Sequence, residues 1–191
     1  MPPVNLPVKA AGSPGLLATQ LGLADFDLLL AADGPGTVYG RPAGWACVAD
    51  DRATARVALH LGGLSCGTNN FGELTPFLQV LWHHHQHHGP AVNGPRRVVA
   101  VTDSELTVRC GNRQYSRSAN GCLWAGVAWF EERGYELTWT HVRRNSNPWA
   151  AWLDDMAKLG RCLMQEALQL IPPSPAGPFP GGQPSETAPA S

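Results

Sequence analysis

Four acidic residues stand where carboxylates can act together: Asp33, Glu73, Asp103 and Asp154. Asp33 closes the apolar run "FDLLLAAD" and precedes Gly34, while Asp103 closes "RRVVAVTD" and precedes Ser104. Glu73 falls in the first turn of a helical stretch, and Asp154 about two turns into another. If the two apolar runs are neighbouring parallel strands, their terminal aspartates lie side by side at the carboxyl edge, where open α/β sheets bind ligands. Hard divalent cations such as Mg2+ take several oxygen ligands. Two such ions, about 3.5–4 Å apart, can activate a water and stabilise a leaving oxygen in phosphodiester cleavage. A lone strand-end aspartate is ordinarily a turn or cap residue. It is the set of four that points to chemistry.

The elements that must position this set follow from periodicity. Residues 26–33 are apolar almost throughout, as in a strand buried on both faces. "GWACVAD" (44–50) and "ARVALHLGGL" (55–64) read as a hairpin turning at Asp50, Asp51 and Arg52. "NNFGELTPFLQVLWHHHQHH" switches to helical spacing, with Asn69 or Asn70 able to cap it. A second buried strand spans 96–103, a helix 120–134 stopped by Gly134, and a strand 135–142. A long helix then opens at Pro148, a residue suited to a first turn. The order β-β-β-α-β-α-β-α predicts a mixed sheet covered by helices. Pro76 lies inside the helix that carries Glu73, removes one backbone donor, and should start or bend the helix there.

Composition bounds the rest. The 191 residues suit one domain: an irregular arm at 1–24, a folded unit at 25–171, and a Pro-rich disordered tail at 172–191 that could meet a protein partner. A formal charge of −1 excludes a broad polybasic surface. Five cysteines make an odd count without a C-x-x-C pair and read as reduced thiols of a cytoplasmic protein. No stretch reaches the about 20 apolar residues of a membrane span. A monomer is expected.

With "DG" at 33–34 and "GWA" downstream, "GTNNFGEL" at 67–74, "VAVTDSELTV" at 99–108 and "NPWAAWLDDMA" at 147–157, the chain resembles type 1 ribonuclease H over residues 26–160. The resemblance implies an α/β fold, a ribonuclease H-like mixed five-stranded sheet flanked by helices. It implies an RNA–DNA hybrid as partner and two Mg2+ or Mn2+ ions as cofactors. Asp33 would bridge both ions. Glu73 and Asp103 would hold the ion beside the leaving group, and Asp154 would help hold the ion that activates water. Asn69 and Asn70 match a pair that reads the hybrid's minor groove, where 2′-hydroxyls distinguish RNA from DNA. Gly34, Ser104 and Trp124 match neighbours of the site that shape the substrate face.

The chain also departs from that family. Its loop histidine should fall near Arg144 or Asn145, and "VRRNSNP" holds none, so either turnover would be slower or one of these two would serve instead. The long basic protrusion is missing: 20 residues separate Asp103 from Trp124, with only Arg109, Arg113 and Arg117 among them. Weak, strongly salt-dependent hybrid binding follows, since phosphate contacts supply much of the affinity. Tyr39 and Glu105 replace smaller or uncharged residues near the substrate. Asp155 competes with Asp154 for the fourth position, though helix geometry lets only one of two adjacent residues face the site.

"LWHHHQHHGP" (81–90) carries five histidines in six positions. The i,i+4 pairs His83–His87 and His84–His88 can grip an ion such as Zn2+, but they also read as a solvated helix end favoured by the helix dipole. His84 is eleven residues from Glu73, about 16 Å along a helix, so the two cannot share an ion. Three functions compete: a hybrid-cleaving endonuclease, a non-catalytic binding module of the same fold, and a nuclease of this fold acting on structured DNA.

Overall fold

The computed structural model describes residues 17–19, 21–34, 42–65, 69–92, 94–144 and 148–170; for residues 69, 70, 148 and 170 it describes the backbone alone. The expected tail at 172–191, most of the arm, Tyr39 and Asn145 lie outside these residues.

The elements run β1 (Leu28–Asp33), β2 (Ala43–Asp51), β3 (Arg56–Leu64), α1 (Asn69–His88), β4 (Arg96–Thr102), α2 (Glu105–Gly111), α3 (Gly121–Glu131), β5 (Tyr135–His141) and α4 (Pro148–Leu170). The sheet order is β3-β2-β1-β4-β5. The β1–β2 and β2–β3 pairs are antiparallel, while β1–β4 and β4–β5 are parallel. The mixed five-stranded sheet flanked by helices is thus present.

Alternate residues of β1 serve two cores, which explains its unbroken apolar run. Leu28, Leu30 and Ala32 pack with Phe77 and Leu81 of α1, Val127 of α3 and Trp139 of β5. Leu29 and Ala31 pack on the opposite face with Trp149, Leu153 and Ala157 of α4. Leu17 and Ala18 are buried in that second core, so the end of the expected irregular arm belongs to the fold. Residues 17–19 are helical and lie on the same side of the sheet as α4.

Two further expectations are corrected. The helix α1 does not start at Pro76 but runs on through it. The carbonyl of Gly72, which Pro76 cannot serve as a donor, instead lies against the backbone of Gly34. A second helix, α2, was not anticipated. Ser104 caps it by accepting a hydrogen bond from the Thr107 N–H at 3.3 Å. Among the described residues no helix is long and apolar enough to cross a membrane.

Candidate functional site

Parallel pairing sets the first two carboxylates together. In the β1–β4 register Ala31 lies opposite Val101, so two residues further on Asp33 reaches the level of Asp103. Glu73 arrives from α1 because Gly34, just past β1, lies against that helix: a β-carbon on Gly34 would overlap the Gly72 carbonyl. Only glycine permits that approach. Asp154 comes from α4, which lies close on β2 because Gly44 leaves room for the Ala157 carbonyl one turn further along.

The result is a compact acidic centre. Asp33, Glu73 and Asp103 each present an oxygen, and the three oxygens lie within 4.8 Å of one another. Asp33 and Glu73 are buried, and Asp103 is nearly so. Asp154 stands beside this trio, bridged to it by Arg144. The Arg144 guanidinium places Nε 2.7 Å from Asp103 Oδ2, and Nη2 3.4 Å from Asp33 Oδ2 and 3.7 Å from Asp154 Oδ1. The Asp155 side chain is 69% exposed and pairs with Lys158, whereas that of Asp154 is 20% exposed and turned toward the centre.

Electrostatics show what the centre demands. Burial, reinforced by the Asp33 and Asp103 charges, pushes the Glu73 carboxyl up to about 8. Burial and then the Asp103 charge push Asp33 up to about 6, against the pull of Arg144. Burial works against the Arg144 charge, but Asp103, Asp33 and Asp154 outweigh it and raise its pKa. Crowded, desolvated carboxylates of this kind want positive charge, and one partly exposed guanidinium only partly supplies it. An all-oxygen donor set that already draws in a cation fits hard divalent ions.

Three further side chains support the acids, and only the first, Thr102, carried no sequence signal. The Thr102 hydroxyl donates to Glu73 Oε2 at 3.3 Å while its oxygen accepts the Ser104 N–H at 3.2 Å, so the strand end orients the glutamate. Lys158 Nζ lies 2.6 Å from Asp154 Oδ2, a pairing that the i,i+4 spacing does announce. His141 ends β5, as its strand pattern indicated, and its Nε2 lies 3.1 Å from the Asp103 carbonyl.

Other expected site residues sit differently. Trp124 is 5% exposed, packed against Trp139 beneath the Arg117 guanidinium, so it supports the core and offers no face to a substrate. The Ser104 hydroxyl is engaged in capping α2. Asn69 and Asn70 open α1 one turn before Glu73. The three arginines of the shortened connection are all engaged within the fold. Arg109 pairs with Glu105, Arg113 lies 2.7 Å from Glu131, and Arg117 bonds Glu131 and the Cys110 and Gly111 carbonyls. The histidine run is not simply a solvated helix end, because His84 is buried against Tyr135 of β5.

Comparison with solved structures decides the architecture. LC11-RNase H1, solved in complex with an RNA/DNA hybrid, superposes with a TM-score of 0.59 at 22% identity, covering 74% of this chain and 99% of its own. The chain has the ribonuclease H fold. The N-terminal RNase H domain of a Mycobacterium tuberculosis protein matches with a TM-score of 0.59 at 17% identity, covering 75% of this chain and 99% of its own. RNase H1 from Halobacterium salinarum matches at 0.53 and 18%, covering 70% of this chain and 96% of its own. No family model and no curated protein sequence matches this chain. Within the ribonuclease H fold, the acidic centre lies at the carboxyl edge of the parallel strands β1 and β4.

Proposed function

We propose that this protein is a metal-dependent endonuclease that hydrolyses the RNA strand of RNA–DNA hybrids, leaving 3′-hydroxyl and 5′-phosphate ends. The observation that carries this is the convergence of Asp33, Glu73 and Asp103 within 4.8 Å, with Asp154 tied to them through Arg144. Asp33, Glu73, Asp103 and Asp154 would hold two ions, Mg2+ or Mn2+. When bound, such ions neutralise the scissile phosphate and make a water acidic enough to attack at neutral pH.

The chain's own work is positioning. Phosphoryl transfer needs alignment and charge compensation more than a protein nucleophile. Thr102 sets the direction of Glu73, the bare backbone of Gly34 brings α1 to the strand ends, and Lys158 steadies Asp154. Glu73, held near 8, carries a proton at neutral pH in the ion-free protein and would have to lose it to serve as a metal ligand. Arg144 compensates the acids before ions arrive and, being half exposed, can turn to a substrate phosphate afterwards. A monomer acting on the hybrid's minor groove through the start of α1 completes the proposal.

The test is a labelled hybrid incubated with Mg2+, Mn2+ or EDTA, with both product ends analysed. Cleavage only with divalent ions, giving 5′-phosphates, supports the reading; absence of cleavage by the wild type with either ion removes it. The seat of Arg144 among the acids favours one alternative, a non-catalytic binding module of the same fold. Tight hybrid binding in EDTA without turnover would establish that alternative. Efficient competition by all-DNA substrates would point to structured DNA instead.

A further inference from the structure

The opposite end of α1 holds a second cluster that the nuclease reading does not use. His84 and His88 lie one turn apart with rings stacked at 4.4 Å, and both face Asp51 at the end of β2. His88 Nε2 is 3.3 Å and His84 Nε2 3.9 Å from Asp51 Oδ2. One donor atom from each residue falls within 4.8 Å of the others. For metal bonds of about 2.0–2.1 Å, the ligand–ligand edge of a tetrahedron is roughly 3.3 Å. The trio is therefore close to the spacing that one small ion would impose.

The supporting shell is already in place. Asp51 is fixed by the hairpin turn: Oδ1 accepts the Ala53 N–H at 2.9 Å and Oδ2 the Thr54 hydroxyl at 2.8 Å. Each oxygen keeps a free lone pair. His84 is fixed from behind. The Tyr135 hydroxyl accepts from Arg96 Nη1 at 2.9 Å and lies 3.3 Å from His84 Nδ1 and 3.4 Å from His85 Nδ1. A phenol has one proton and two lone pairs. All three contacts are satisfied when one imidazole donates its Nδ1–H to the hydroxyl and the hydroxyl donates to the other, and a metal on His84 Nε2 would select the arrangement in which His84 is the donor. That tautomer aims the bare Nε2 lone pair of His84 at the Asp51 carboxylate. At 3.9 Å no hydrogen bond joins them, and a cation between them would turn a repulsive contact into two bonds. An outer hydroxyl that orients a ligating imidazole is a recurring part of metal sites.

The cluster opens into a cavity of about 760 Å³, whose walls also include His60, His83 and His87, so an ion and a coordinating water have access. Two imidazoles and one carboxylate select a borderline transition ion over Mg2+. We propose that Asp51, His84 and His88 form a second metal site, specific for a Zn2+-type ion, that clips the β2–β3 hairpin to the carboxyl end of α1.

The test is a Co2+ titration of the full chain followed by visible absorption. Four-coordinate Co2+ with nitrogen ligands absorbs strongly, whereas an octahedral carboxylate site absorbs faintly, so the two centres are told apart. One equivalent should develop intense bands that resist excess Mg2+ and vanish on adding Zn2+. His88→Gln, at an accessible position, and Asp51→Asn should each weaken binding about 100-fold, and Tyr135→Phe about 10-fold. The double variant His83→Gln/His87→Gln should stay within about 2-fold of wild type, since neither side chain is a ligand in this geometry. Absence of intense bands, wild-type affinity in His88→Gln, or loss confined to the His83/His87 variant would each overturn the proposal.

Discussion

The two ends of α1 present opposite chemistry on one rigid element. At its start Glu73 joins Asp33 and Asp103 in a buried all-oxygen centre; at its end His84 and His88 join Asp51 in a nitrogen-rich one. Both use an aspartate at a strand terminus, Asp33 of β1 and Asp51 of β2. Both also have a hydroxyl behind a helix-borne donor, Thr102 behind Glu73 and Tyr135 behind His84. The difference lies in charge. The acidic centre crowds negative charge until Glu73 is pushed up to about 8 and Asp33 to about 6, whereas the histidine centre carries a single carboxylate beside two imidazoles. Burial, aided by Arg96, pushes His84 down to about 4, so its ring stays uncharged. Hard and borderline ions would thereby be sorted by donor type and not by position along the helix.

The largest effect that would separate the two ends is the loss of hybrid cleavage in Asp103→Asn. Removing one charge from the trio should lower the cleavage rate by about 1,000-fold or more, roughly 4 kcal/mol of barrier. Gel analysis of hybrid products would check this, and near-full cleavage by the variant would break the asymmetry between the centres.

Next comes stability. The Glu73 and Asp33 carboxyls have folded pKa values raised above their unfolded ones, so their contribution is fully present below about pH 4 and is lost as pH rises through about 6 and then 8. Glu73→Gln should therefore make the ion-free protein more stable by on the order of a few kcal/mol near pH 9, with little change near pH 4. Thermal melts across that range read the effect directly. A variant destabilised equally at all pH values would show that Glu73 is not strained by charge.

How much of this was legible beforehand depends on how local the cause is. Strands β1 and β4 announced themselves because both faces are covered, which leaves an unbroken apolar run ending in an aspartate. Helix geometry alone says that one of Asp154 and Asp155 faces the site and not which; the resemblance favoured Asp154, and the pairing of the exposed Asp155 with Lys158 becomes visible only in the fold. The helix α2 spans only seven residues, too short for periodicity, and its one cue was the Ser104 cap. His84 looked solvated within a polar run because the residue that buries it, Tyr135, lies on β5 and is remote in sequence. Trp124 was placed at the substrate face by the resemblance alone, because Trp139 and Arg117, which enclose it, come from other parts of the chain. Pro76 looked like a start or a bend because its neighbour across the fold, Gly34, could not be foreseen as the group that covers the orphaned carbonyl.

Smaller effects sharpen the picture of the acidic end. Arg144→Ala removes the side chain that competes with ions for Asp33 and Asp103. Mn2+ affinity should rise by roughly 3- to 5-fold, the scale of a partly exposed ion pair. Hybrid KM should rise in parallel if the same guanidinium serves a phosphate. Calorimetry and steady-state kinetics give the two numbers separately. The smallest effect concerns Arg113, exposed and already paired with Glu131: Arg113→Glu should change hybrid affinity by no more than about 2-fold, because this arginine supplies little of the phosphate contact. A much larger loss would mean that the shortened connection still acts as a basic handle.

The most direct measurement is calorimetric titration of Mn2+ into the wild type, Asp103→Asn, Asp154→Asn and Asp155→Asn. The convergent carboxylates require binding by the wild type with proton release, severe weakening in Asp103→Asn, clear weakening in Asp154→Asn, and none in Asp155→Asn. Absence of Mn2+ binding by the wild type, or equal binding by the wild type and Asp103→Asn, would contradict the four-acid centre.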